Sequence, residues 1–223
     1  QKWGLAMGTA GTVMSSGQYD LSTTYDKIFR EEGENSKESV FEVQATASAQ
    51  TQTANGVQYA QIMGVRGAGS WDIGWGWNTP STNLEAAYEP NDPRKNRTIL
   101  YLSTTTTTNL SIYGEVMPVY TSPTGSPPNP RYNNKVYSNP AIRASVGHRF
   151  GYWMNIRLLR YADVVLMYAE AANEVGGATN ITAARTALNS VRARARSGAP
   201  AGTLPDVTTT DQATLRAAIW QER

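Results

Sequence analysis

The sequence predicts a mainly α fold of close-packed helical hairpins, with long irregular loops and minor β structure. Three observations carry this expectation. The segment Ile156 to Arg196, IRLLRYADVVLMYAEAANEVGGATNITAARTALNSVRARAR, reads as two helices joined by a short break. From Tyr59 to about Gly151, helical periods are few; Gly64, Gly67, Gly69, Gly74 and Gly76, then Pro118, Pro123, Pro127, Pro128, Pro130 and Pro140, punctuate the chain. Leu215 to Arg223 is amphipathic again and starts a further helix.

In the first helix of the pair, Arg160, Asp163, Met167, Glu170 and Glu174 form one narrow stripe. Leu158, Leu159, Ala162, Val165, Leu166, Ala169 and Ala172 take the remaining faces, and an apolar surface that wide belongs to a helix packed on more than one side. The Gly176-Gly177 pair stops it, since glycine tolerates the left-handed conformation of helix ends. Thr179, Asn180 or Thr182 offers an N-cap for the second helix, whose buried seam is Ile181, Ala184, Leu188, Val191 and Ala195. Alanine-rich faces let two helices approach closely, as in tetratricopeptide-type hairpins.

The rest of the chain gives weaker signals. A helix, a turn at Ser16-Gly17 and a short helical piece around Tyr25 to Phe29 fit the first thirty residues. Gly33 to Ser36 is a polar turn, Val40 to Thr46 alternates as a short strand does, and Ala47 to Ala54 is a polar linker. Ser81 or Thr82 caps a short helix over Asn83 to Tyr88, and Asp92-Pro93 reads as a turn. The threonine run Thr104 to Thr108 fits a strand or a loop.

Several stretches together resemble the SusD/RagB family. They are Arg160 to Glu174 (RYADVVLMYAEAANE) with Ala187 to Ala195 (ALNSVRARA), Ser16 to Leu21 (SGQYDL) with Glu38 to Gln44 (ESVFEVQ), and Gly74 to Ser81 (GWGWNTPS) with Asp92-Pro93-Arg94. Their order is the family's order. The resemblance implies a single SusD-like domain over 1–223, incomplete at both ends. Its parts are a helical and short-strand part (1–58), a loop-rich part (59–151), and a helical hairpin with the start of the next helix (152–223). It also implies a non-catalytic, lipid-anchored protein on the outer face of the outer membrane. Such a protein captures oligosaccharides and passes them to a SusC-like TonB-dependent β-barrel transporter, without a cofactor. A peptide-uptake role of the RagB kind is the alternative.

Bulk properties narrow the chemistry. A net charge of +2 spread over 223 residues gives no case for nucleic acid. With no cysteine, disulfides, thiolate metal sites and cysteine nucleophiles are excluded within this sequence, and a single histidine, His148, allows no histidine pair for a metal. His148 is expected at the surface or in a hydrogen bond. The basic cluster Arg192, Arg194 and Arg196 suits a helix C-terminus with salt-bridged neighbours. Asp163 and Glu170 are expected to pair with Arg157 or Arg160. Glycosidases need two opposed carboxylates; Glu85 and Glu89, four apart on the short helix, form a weak candidate pair.

The strongest local feature is the Trp71, Trp75, Trp77 cluster. An indole can cover the C–H face of a sugar ring, while Asp72 and Asn78 supply acceptors and donors for hydroxyl groups. The competing reading is packing beneath the loop, which is favoured for Trp75 and Trp77 because they fall in the family-shared segment. Trp71, outside that pattern, is the first choice for a ligand contact. Tyr113, Tyr120, Tyr132, Tyr137 and Tyr152, with Trp153, form a second aromatic group that either contacts ligand or anchors loops.

Overall fold

A computed structural model of the chain describes residues 2–47, 58–105 and 110–223. Its helices are α1 (Trp3–Ser15), α2 (Tyr25–Ile28), α3 (Gln58–Met63), α4 (Thr82–Ala87), α5 (Pro93–Thr98), α6 (Pro140–Val146), α7 (Tyr161–Val175), α8 (Ala178–Ala195) and α9 (Gln212–Glu222). The strands are β1 (Ser39–Val43), β2 (Ile99–Tyr101), β3 (Arg131–Asn133) and β4 (Ile156–Arg160). Most of the polar linker expected over Ala47 to Ala54, and most of the threonine run, lie outside the described residues. The chain sorts into two units: Gln1–Glu42, Ala87–Pro93 and Arg157–Arg223 in the first, Val43–Ala86 and Arg94–Ile156 in the second.

The first unit is the helical one, and α7 is its centre, with α1, α8 and α9 packed on it. Ala169 and Ala172 of α7 and Ala184 of α8 are fully buried, so small side chains set the close approach of the hairpin. The predicted seam of α8 is buried at all five positions, and Leu215 and Ile219 of α9 complete the same core. Gly176 and Gly177, with φ of 76° and 83°, make the break between α7 and α8. No side chain caps α8; Gly177 is its N-cap, and Asn180 instead donates to the Gly176 carbonyl at 2.8 Å.

The largest departure from the sequence reading is Ile156 to Arg160, which is strand β4 paired with β1 rather than the first turn of α7. Tertiary partners override the helical pattern here. The Tyr161 N–H donates to the Glu38 carbonyl at 2.7 Å. Arg157 reaches the Glu42 carboxylate at 3.3 Å and the Arg30 carbonyl at 2.8 Å. Leu158, assigned to a packed face, is exposed as a result. Asp163 then accepts from the Arg160 N–H at 3.1 Å and from its side chain at 3.1 Å, which starts α7.

Ion pairs reinforce the unit. Glu38, almost fully buried, lies 3.2 Å from Arg194 and 3.6 Å from Arg160. Burial raises its carboxyl above the ordinary range, and the two guanidinium groups pull it back. The arginines at the end of α8 pair as expected: Arg192 with Glu89 and Glu222, Arg194 with Glu38, and Arg196, the C-cap, with Asp206. Glu170 departs from expectation, pairing with Arg223 and accepting from the Trp220 indole N–H at 3.0 Å.

In the second unit a core forms from irregular segments. Val65, Ile73, Leu100, Met117, Tyr132 and Met154 are central to it, and antiparallel β2 and β3 align Leu100 with Tyr132. Of the second aromatic group, Tyr132, Tyr137, Tyr152 and Trp153 are buried, and Tyr113 and Tyr120 pack against them, so they anchor loops. Ser81 is the residue that starts α4, its hydroxyl accepting from the Leu84 N–H at 3.1 Å. The turn expected at Asp92-Pro93 lies just before it, closed by the Asp92 N–H donating to the Glu89 carbonyl at 3.1 Å, and Pro93 opens α5, because proline suits the first position of a helix.

Two outcomes follow for the first unit. Glu38→Ala leaves Arg194 without its carboxylate in a buried setting and Arg160 with Asp163 alone, and lowers stability by roughly 3–5 kcal/mol, read from the urea midpoint at constant slope. Glu174 is held below its ordinary value of 4.5 by hydrogen bonds from Arg216 at 2.5 and 2.8 Å. As pH falls, the unfolded chain therefore takes up this proton first, so the stabilisation is present above pH 4.5 and lost below it. A Glu174→Gln variant melts below wild type at pH 7, and the gap closes as the pH falls through the folded-state value.

Candidate glycan-binding surface

The last carbonyls of any α-helix lack intrahelical donors. At the end of α3 the tryptophan segment supplies them. The Trp75 N–H donates to the Gln61 carbonyl at 2.9 Å and the Trp77 N–H to that of Ile62 at 3.0 Å. Between them the Gly76 N–H donates to the Gly64 carbonyl at 2.9 Å. The strap lies so close that a Cβ on Gly74 would come within 2.5 Å of the Gly64 backbone. Gly76 has a φ of 68°, and a Cβ there would sit 2.8 Å from the Arg66 Cβ and 3.2 Å from the Tyr132 ring. The Tyr132 hydroxyl donates to the Arg66 carbonyl at 3.1 Å, fixing the neighbouring backbone as well.

This geometry sets the exposure of the three tryptophans, and it reverses the emphasis drawn from the sequence. Trp71 packs against the core, its ring tilted on Tyr137 at 6.4 Å. Trp75 and Trp77 are 43% and 66% exposed. Beneath Trp71, the Tyr137 hydroxyl donates to Glu115, whose carboxylate also accepts from Arg143 at 2.6 and 2.8 Å. Burial and that carboxylate together push the Tyr137 hydroxyl far above its ordinary range, so it stays a neutral donor.

Asp72 is exposed and forms an ion pair with Arg149. The same guanidinium lies over the Trp75 ring, 4.3 Å from its centroid, and 5.8 Å from that of Phe150. Cation–π contact of this kind holds an indole in one orientation. Asn78 adopts a left-handed backbone with φ of 56° and directs its amide to the Met63 sulfur at 3.7 Å. Trp75, Trp77, Asp72 and Asn78 thus share one backbone-clamped segment, with Trp71 as its inner anchor. Arg149 and Phe150 were not found by the sequence reading, because Arg149 lies 77 residues from its carboxylate partner and carries no local signal.

The other candidates resolve differently. Glu85 is held by Arg131 and Lys95, and hydrogen bonding from Arg131 lowers its carboxyl below the ordinary range, opposite to what a general acid requires. Glu89 is claimed by Arg192, and α4 ends at Ala87, so the two carboxylates form no pair. His148 is half-buried and not hydrogen-bonded: both ring nitrogens are turned inward without a partner among the described residues, beside Phe150 at 6.3 Å. Among the described residues no group of three or more histidine, cysteine, aspartate or glutamate side chains is placed to hold a metal ion. No described helix is long and apolar enough to cross a membrane.

The fold matches solved structures along nearly its whole length. A surface glycan-binding protein A from Bacteroides thetaiotaomicron superposes with a TM-score of 0.70 at 21% identity, covering 99% of this chain and 47% of that one. The structure of a Bacteroides thetaiotaomicron surface glycan-binding protein A in complex with laminarihexaose gives 0.68 at 22% identity, with the same coverage. A SusD-like protein from Bacteroides fragilis gives 0.70 at 21%, again covering 99% and 47%. The chain therefore spans about half the length of these structures, and at such identities the likeness establishes the fold. Comparison with curated proteins gives no match. The SusD family model matches residues 8–223, and the chain belongs to the SusD family.

Proposed function

We propose that this chain belongs to a non-catalytic cell-surface protein that captures oligosaccharides and delivers them to a SusC-like TonB-dependent transporter. The carrying observation is the pair of exposed indoles, Trp75 and Trp77, on a segment clamped to the end of α3. Surface tryptophans that contribute nothing to a core and sit on a fixed backbone are suited to stacking on sugar rings, because little backbone entropy is lost on binding. Asp72 and Asn78 flank them with an exposed acceptor and an amide, the groups that sugar hydroxyls need. Relatives of the same fold described as surface glycan-binding proteins, one bound to laminarihexaose, support the ligand class. Outer-membrane lipid anchoring and the transporter partnership come to the proposal from the family.

Capture in this form breaks no bond. Stacking and a few hydrogen bonds hold the oligosaccharide reversibly, and their modest strength permits release to the transporter. Trp77→Ala is expected to weaken glycan affinity by about tenfold while leaving the melting temperature unchanged. Trp71→Ala is expected to do the reverse, lowering stability by about 2 kcal/mol through lost packing on Tyr137. Calorimetric titration of both variants, with thermal melts in parallel, separates platform from anchor. Unchanged affinity in Trp77→Ala removes the platform.

A further inference from the structure

The tryptophan segment carries one cation with nothing to neutralise it. Among the described residues every other arginine has a partner, through a carboxylate, a backbone carbonyl or another contact. The Arg66 guanidinium has no carboxylate or hydrogen-bonded partner; its charge bears only on the neutral Tyr132 hydroxyl. Its backbone is fixed by Tyr132, and its Cβ lies against Gly76, between the two exposed tryptophans. The side chain itself is exposed.

The surrounding charges do not cancel it. Asp72, the acidic residue of the segment, is matched by Arg149, which also stacks on Trp75. Glu85 is matched by Arg131 and Lys95. Counting Arg66, Arg149 and Asp72 alone, the platform has one positive charge in excess. A guanidinium presents a planar fork of donors that matches the two oxygens of a carboxylate or the oxygens of a sulfate, and such charge-assisted bonds are stronger than those to hydroxyls.

We infer that the glycan taken by the Trp75–Trp77 platform carries an oxyanion, and that Arg66 is the specificity-determining residue that reads it. This rests on the glycan-binding reading above and adds the substrate class: an acidic oligosaccharide rather than a neutral one. The sugar ring stacks on indole while its anionic substituent meets the Arg66 fork. Carboxylate and sulfate share this chemistry, and the two are told apart by experiment.

The test uses glucan, mannan and galactan oligosaccharides, each in a neutral form, a form oxidised to uronates and a sulfated form. Titrations compare wild type, Arg66→Gln and Trp77→Ala, in dilute buffer and at high salt. At least one acidic form is expected to bind about tenfold more tightly than its neutral parent, by a margin that shrinks at high salt. Arg66→Gln should abolish that margin and leave affinity for the neutral parent and the melting temperature unchanged. The form that shows the margin identifies carboxylate or sulfate as the source. Neutral parents that bind as tightly as both acidic forms, or a margin that survives Arg66→Gln, overturn the inference while the platform stands. Absence of binding to every form, or binding indifferent to Trp77→Ala, overturns the platform reading itself.

Discussion

A charge removed from water must be met by partners, and in the helical unit that requirement falls on Glu38. Its carboxylate lies at the start of β1, almost without exposure, and faces Arg160 from the β4–α7 junction and Arg194 from the end of α8. The Glu38 carbonyl also receives the Tyr161 N–H, so backbone and side chain of one residue fix where β4 stops and α7 begins. That junction sets the start of α7, on which α1, α8 and α9 pack. The two guanidinium groups also meet aromatic rings: Arg160 lies over Phe29 and Arg194 over Tyr25, which brings α2 and its flank to the same cluster. A purely apolar substitute could fill the space, but it could not fix register at three elements at once.

A comparable constraint acts in the loop-rich unit, where the open carbonyls of a short helix determine the position of the tryptophan segment. α3 has six described residues, too few to be stable alone. The tryptophan segment completes it by donating three N–H groups across its end, and Gly64 and Gly74 allow the backbones to come that close. The exchange leaves Trp75 and Trp77 with no place in the core. Exposure of two large indoles is thus a consequence of how the backbone hydrogen bonds are satisfied. Trp71, one turn earlier, enters the aromatic core through Tyr137 instead.

Charge is distributed unevenly between scaffold and surface. Arg192, Arg194 and Arg196, at the end of α8, are each paired with a carboxylate, so the basic cluster that stands out in the sequence is structural. The arginine left without a carboxylate or hydrogen-bond partner among the described residues, Arg66, is an isolated residue in a glycine-rich stretch and draws no notice by composition. Its significance comes from the absence of any carboxylate beside it and from the two tryptophans on either side of the glycine it touches.

The sequence by itself determined the family and the hairpin. The alanine faces, the apolar seam of α8 and the Gly176-Gly177 break are local patterns, written within a few helical turns, and short-range geometry is what periodicity encodes. The segment Trp71 to Asn78 stands out as a candidate too, because tryptophan, glycine and asparagine are concentrated there at close spacing. Only the tertiary structure decided that Ile156 to Arg160 is a strand, since a pairing partner more than a hundred residues away outweighs helical propensity. It also decided which tryptophans face outward and brought Arg149 over Trp75. These outcomes depend on contacts between residues distant in the chain, where the energy of a backbone pair or a buried charge exceeds the local preference. No window of sequence contains both halves of such a contact.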